Sequence, residues 1–159
     1  LSAVGPLMQQ ARSFGSHFSF LDVGSGGGLP GVVIAICCPH VNVTCVDTVS
    51  KKAAFVQQVS ASLKLGNLKG LHARVETLNG PFDVIGSRAF ASLPDFVTWS
   101  SDAMAGNGVW MAMKGKLPEE ELAALPPMVQ VFHVEQLHVP GLNAERCMIW
   151  MKKSQALSE

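Results

Sequence analysis

Apolar residues along this chain come in short runs, set apart by glycines and polar turns. Phe20, Leu21 and Val23 lead into "GSGGG", so Ser19–Val23 predicts a buried strand. The run "PGVVIAICC" beyond the glycines predicts a short apolar helix with Pro30 near its first turn. "NVTCVD" (Asn42–Asp47) predicts a second strand. The helix after it would be capped by Ser50, carry Phe55, Val59 and Leu63 at spacing four, and stop at Gly66. Leu68–His72 and "FDVIGS" (Phe82–Ser87) predict the third and fourth strands. Phe96, Ser100 and Met104 fall on one side of a helix ending near "GNG", and "VWMAM" (Val109–Met113) makes a fifth strand.

The last third changes character. "MVQVFHVEQLHV" and "RCMIWMKK" are strand-like runs joined by a short connection containing "PGLN" (Pro140–Asn143). So short a link suits an antiparallel pair, because a parallel crossover needs about a dozen residues or more. Strand–helix alternation closed by a hairpin predicts an α/β fold, with a mainly parallel sheet covered on both faces. No repeat or linker divides residues 1–159, and one domain is expected.

Composition narrows the class. With 48% hydrophobic and 15% charged residues, the chain reads as an ordinary globule able to bury a core. Twelve basic and twelve acidic side chains cancel, which argues against nonspecific coating of nucleic acid but leaves room for a local basic face. No run approaches the roughly 20 apolar residues of a membrane span, and no signal peptide is visible, so a cytoplasmic protein without membrane contact is expected. Cys37, Cys38, Cys45 and Cys147 form no C-x-x-C pair and read as buried free thiols. His17, His40, His72, His133 and His138 are scattered, and no metal site is expected. Trp99, Trp110 and Trp150 lie in apolar periodic segments and are expected in the core.

The candidate chemistry sits in "FLDVGSGGGLPG". Gly24, Gly26 and Gly28 follow the first strand at alternate positions, and such glycines let backbone turn sharply and approach a ligand. No Lys-Ser/Thr follows them, which excludes a nucleoside-triphosphate loop. Pro30 removes an amide from the helix start and so weakens a pyrophosphate cradle. Asp22, at the mouth, would repel phosphates and suit a cationic cofactor bearing an amino group and a sulfonium. Asp47 closes the second strand, where a carboxylate can accept from both hydroxyls of a ribose. NAD enzymes use that same device, but the loop as a whole favours S-adenosylmethionine.

These segments, with "VDTVSKKAAFVQQV", "ARVE", "SRAFASL", "MKG" and "ERCMIWMKK" in matching order, resemble the bacterial 16S rRNA guanine-N7 methyltransferases (RsmG, also called GidB) over nearly the whole chain. The resemblance implies a class I, Rossmann-like S-adenosylmethionine-dependent methyltransferase fold of seven strands, the last antiparallel. It implies methylation of N7 on one guanosine of 16S rRNA near the decoding centre. Cofactor contacts would fall at Gly24, Leu29, Val75, Glu76 and Arg88. The expected product is S-adenosylhomocysteine, the expected partner 16S rRNA within a small-subunit particle, and the expected state a monomer. Members carry an N-terminal helical, basic segment ahead of "LSAVGPLMQQ", and this sequence is expected to lack it.

Guanine N7 has a lone pair and no proton to lose, so no general base is needed and none is assigned. Proximity and alignment should carry catalysis. Arg88 would position the acceptor or bind the cofactor's carboxylate, and Lys114, Arg146 and Arg74 would add cationic groups around the entrance. Phe90 is a candidate to stack on a base. On the residues alone three other readings stay open: a class I methyltransferase acting on a small molecule or protein, an NAD-binding domain, and a non-catalytic adenosine- or RNA-binding module.

Overall fold

The computed structural model describes residues 3–15, 17–24, 28–88, 91–137 and 146–154. Seven strands form one sheet in the order β3-β2-β1-β4-β5-β7-β6. They are β1 (Ser19–Val23), β2 (Asn42–Asp47), β3 (Leu68–His72), β4 (Phe82–Arg88), β5 (Met104–Lys114), β6 (Val129–Gln136) and β7 (Cys147–Lys153). β1 to β5 pair in parallel, while β7 runs antiparallel to both β5 and β6. The helices are α1 (Val4–Gln10), α2 (Gly31–Cys37), α3 (Ser50–Ser62), α4 (Leu93–Ser100) and the short α5 (Glu119–Ala123). Among the described residues no helix is long and apolar enough to cross a membrane.

Period-two alternation along the strands feeds a separate core on each face. Phe20, Val43, Met111, Met148 and Trp150 turn toward the side that holds Leu7 of α1, Ile34 of α2 and Val56 of α3. Leu21, Val46, Ile85, Trp110 and Ile149 turn toward Leu93, Phe96 and Val97 of α4. Helices that follow β1 and β4 thus cover opposite faces. The strand order reverses between those two strands, and open sheets of this kind bind ligands outside the carboxyl ends at such a point.

The predicted strands β1, β2 and β3 have the observed bounds, and β4 runs one residue further, to Arg88. Several local expectations need correction. Ser50 is the first helical residue of α3 rather than its cap. Val49 holds the cap position with extended dihedrals, and the Asp47 carboxylate accepts the Val49 amide at 2.8 Å. The face of α3 that packs on the sheet is Ala53, Val56 and Ser60, while Phe55 and Leu63 are about half exposed. Gly66 does not stop this helix. Lys64 takes the left-handed conformation (φ 55°), and the Ser60 hydroxyl bonds the carbonyls of Leu65 and Leu68.

Met104 is not helical either. α4 ends at Ser100, whose hydroxyl bonds the Phe96 carbonyl and accepts the Trp110 indole N–H at 2.9 Å, and Met104 pairs with Phe82 at the start of β5. "GNG" lies inside that strand, where the next pairing is Val84 with Val109 and the intervening residues bulge out. Trp110 and Trp150 are core residues, but Trp99 is 41% exposed because it lies on the outer side of α4. Three of the cysteines are buried, whereas Cys37 is exposed at the end of α2. The hairpin of β6 and β7 is antiparallel as its short link requires, although "PGLN" itself lies outside the described residues.

Candidate functional site

At the carboxyl ends of β1, β2 and β3 lies a cleft of about 240 Å3. Val23, Val46, Ala73 and Val75 give it apolar walls, and Gly24, Asp47, Thr48, Val49, Lys52 and Glu76 complete it. Gly24 directly follows β1 with positive φ and donates its amide to the Val46 carbonyl, so the chain leaves the strand at once and opens space above it. Asp47 is nearly buried at the end of β2. The chain beyond β3 folds back to put Val75, buried, and Glu76, exposed, on a 3-10 turn (Val75–Thr77) opposite Asp47.

A second hollow of about 140 Å3 lies at the start of α2, lined by Leu29, Pro30, Val33, Ile34, Arg88, Met113 and the N-terminal Ala3 and Val4. Arg88 ends β4 beside Met113 of β5 and is exposed there. Gly24 borders the first hollow and Leu29, 43% exposed, the second.

The amides at the start of α2 decide what the loop can hold. Pro30 has none. Gly31 donates its amide to Asp22 Oδ2 at 2.8 Å, and Val32 donates to the Gly28 carbonyl. A pyrophosphate cradle needs such groups free, and here they are spent within the protein. The acid beneath them is fully buried. Burial pushes the Asp22 carboxyl up to about 8, against a partial downward pull from the Gly31 amide and the Arg88 guanidinium. Asp22 is therefore not a carboxylate exposed at the mouth but a buried acid, mostly neutral at pH 7. Its Oδ1 has no hydrogen-bond partner among the described residues. A positively charged group above it would convert a costly burial into a favourable contact.

The cationic candidates part ways. Lys114, 16% exposed, is tied to Glu121 Oε1 at 3.0 Å and to the Ala91 carbonyl at 2.9 Å. Arg74 is exposed, 4.0 Å from Glu76 at the first cleft. Arg146 is exposed just before β7, next to Cys147, which pairs with Lys114 at the same edge. Gly28 is buried, and a Cβ there would strike Val32. Gly26 and Phe90 lie outside the described residues.

Lys52, from sequence only a weaker cationic candidate than Arg74, Lys114 and Arg146, lies on the first turn of α3 and reaches the cleft wall, and Glu121 was missed. The signal for Lys52 was present, since a helix that starts over a strand end points its first turn at the same opening. Glu121 gave none: it is 28 residues from the amide it holds. Asp47, Lys52, Glu76 and Arg88 are the titratable groups among the described lining residues of the two hollows. Among the described residues no three His, Cys, Asp or Glu side chains gather to hold a metal ion.

This arrangement fits an adenosine bearing a cationic tail: apolar walls for a flat base, Asp47 for ribose hydroxyls and, among the described residues at the start of α2, amides at Gly31 and Val32 already used within the protein. Comparison with known proteins agrees. A family model described as rRNA small subunit methyltransferase G (GidB) matches residues 3–149. The ribosomal RNA small subunit methyltransferase G of Polaromonas sp. (strain JS666 / ATCC BAA-500) is 67% identical over 158 residues, which cover 98% of this chain and 70% of the relative. That of Paracidovorax citrulli (strain AAC00-1) is 62% identical, over 96% of this chain and 66% of the relative, so the chain spans about two thirds of that protein. Among solved structures, TrmN from Thermus thermophilus superposes with a TM-score of 0.74 at 18% identity, covering 95% of this chain and 48% of TrmN. The N-methyltransferase NodS from Bradyrhizobium japonicum WM9 gives 0.69 at 11% identity, covering 95% and 94%. At such identities these structures speak for the methyltransferase fold alone.

Proposed function

Because the chain belongs to the rRNA small subunit methyltransferase G family, we propose that it transfers a methyl group from S-adenosylmethionine to N7 of one guanosine in 16S rRNA. The observation that carries this reading is the pair formed by the open cleft at Asp47 and the closed amides at Gly31 and Val32. The acceptor would be RNA in a small-subunit particle in the cytoplasm, met by a monomer that uses no metal.

S-adenosylmethionine, when bound, supplies an electrophilic methyl group on a sulfonium. The protein's own part is to bind, orient and exclude water. Asp47 is assigned to the ribose hydroxyls. Val75 is assigned to the adenine face and Glu76 to its exocyclic amine. Gly24 and Gly28 give the backbone its close approach, and Asp22 lies below, where it would favour positive charge. Leu29 and Arg88 would border the side from which guanine enters, with Arg88 binding the cofactor's carboxylate, a phosphate or guanine O6. Among the described residues that line the two hollows there is no histidine, and this suits an acceptor atom with no proton to remove. Rate would come from alignment, which can contribute several orders of magnitude when reacting atoms are held near 3 Å.

The test is incubation with S-adenosylmethionine labelled in its methyl group and small-subunit particles from a strain lacking the modification. Label confined to one 7-methylguanosine of 16S rRNA is expected. Label in protein, in another nucleotide position, or in none would reject the assignment and favour a methyltransferase with a different acceptor.

A further inference from the structure

Helix α4 begins with Leu93, Pro94 and Asp95, and each amide of that first turn has an explanation. Pro94 has none to satisfy, and the Asp95 amide reaches the Ser92 hydroxyl at 3.3 Å. The Leu93 amide donates to Glu121 Oε1 at 2.8 Å, across 28 residues. The same oxygen lies 3.0 Å from Lys114 Nζ, and that ammonium also donates to the Ala91 carbonyl at 2.9 Å. One ion pair therefore grips both a carbonyl and an amide of the short connection that leaves Arg88. The near end of this connection is fixed by the pairing of Arg88 with Met113, the residue before Lys114.

The core does not require this grip. Leu93, Phe96 and Val97 already anchor α4, each at most 1% exposed. Of the three consecutive glutamates in α5, Glu119 and Glu120 are exposed and only Glu121 is turned inward, with a third of its side chain accessible. What the pair fixes is the Ala91 carbonyl and the Leu93 amide against the end of β5.

We propose that Glu121 is a positioning residue for methyl transfer, acting through Lys114 to fix the end of β5 that pairs with Arg88 together with Ala91 and Leu93 beyond it, and that Lys114 is a strut rather than a contact to RNA phosphate. This rests on the reading of Arg88 at the acceptor side. A cation whose donors already meet a carboxylate and a carbonyl has little left for a phosphate, and a displacement of about 1 Å at Arg88 is enough to cost about a hundredfold in rate.

The test uses Glu121→Ala, Glu121→Gln, Lys114→Met and the Ala/Met double variant, with methylation of small-subunit particles followed at varied salt. Glu121→Ala and Lys114→Met should each lower kcat about 10- to 100-fold, with S-adenosylhomocysteine affinity unchanged. The double variant should fall well short of the product of the single losses, as for groups acting in one network. Glu121→Gln, which keeps an oxygen for the Leu93 amide, should retain more activity than Glu121→Ala and serves if the alanine variant does not fold. Lys114→Met should leave the slope of log affinity against log salt unaltered, whereas loss of a phosphate contact reduces it by about one. A reduced slope in Lys114→Met, or unaltered kcat in both Glu121 variants beside an active parent, overturns the clamp alone. An inactive parent overturns the methylation reading and the clamp with it.

Discussion

Asp22 of β1 accepts the amide of Gly31 at 2.8 Å, so the acid one residue before the end of the first strand also closes the first turn of the next helix. Its pKa near 8 compares with 3.8 for an ordinary aspartate. Between those values the folded protein keeps a proton that the unfolded chain has released. Unfolding then releases a proton, and rising pH favours it. Stability arising at Asp22 is thus complete below about pH 4 and is lost as pH approaches 8. Thermal denaturation of the parent and of Asp22→Asn from pH 5 to 8 should show the variant gaining on the parent as pH rises. Parallel profiles would deny the buried neutral acid.

A cationic ligand above Asp22 has a second consequence. Stabilising the ionised form lowers its pKa, so binding S-adenosylmethionine at pH 7 should expel part of a proton. Calorimetric titrations in buffers of different ionisation enthalpy should detect that release in the parent and lose it in Asp22→Asn.

Asp47 carries two loads that substitution can separate. Its Oδ1 accepts the Val49 amide ahead of α3, and removal of such a cap costs about 0.5–2 kcal/mol. Its proposed bonds to ribose involve a charged acceptor, each bond worth about 1.5–3 kcal/mol, or roughly 10- to 150-fold in affinity. Asp47→Ala should lose both stability and S-adenosylhomocysteine affinity. Asp47→Asn keeps an acceptor for Val49 and should lose mainly affinity. Wild-type affinity in both variants would remove Asp47 from the site.

Arg88 is exposed at the end of β4, away from either core. Arg88→Ala should change unfolding free energy by no more than about 1 kcal/mol, while methylation of particles falls at least tenfold. A large loss of stability with normal specific activity in the folded fraction would mark it as a structural residue.

The strands that frame the cleft were legible in sequence because each is a short apolar run bounded by glycine or a polar turn. Asp47 and Gly24 were legible with them, being fixed to strand ends. The face of α3 was not, and Gly70 explains why. A Cβ on Gly70 would collide with the Ala53 carbonyl and crowd Val56, so β3 admits the helix closely and selects its small side chains. The larger Phe55 and Leu63 are left outside, against the pattern that hydrophobicity alone suggests. The position of Met104 depended on a bulge, and the state of Asp22 on the start of α2 packing against it. The ion pair at Lys114 joins residues brought together only by the sheet. Such facts belong to tertiary packing, which local periodicity does not encode.

The most direct test of the account is an experimental structure with S-adenosylhomocysteine bound. Its adenosine should fill the cleft between Asp47 and Val75, with both ribose hydroxyls within hydrogen-bond distance of Asp47 and the amino-acid tail running past Gly24 toward Asp22 and Arg88. A nucleoside bound elsewhere, or a ribose out of reach of Asp47, would contradict it.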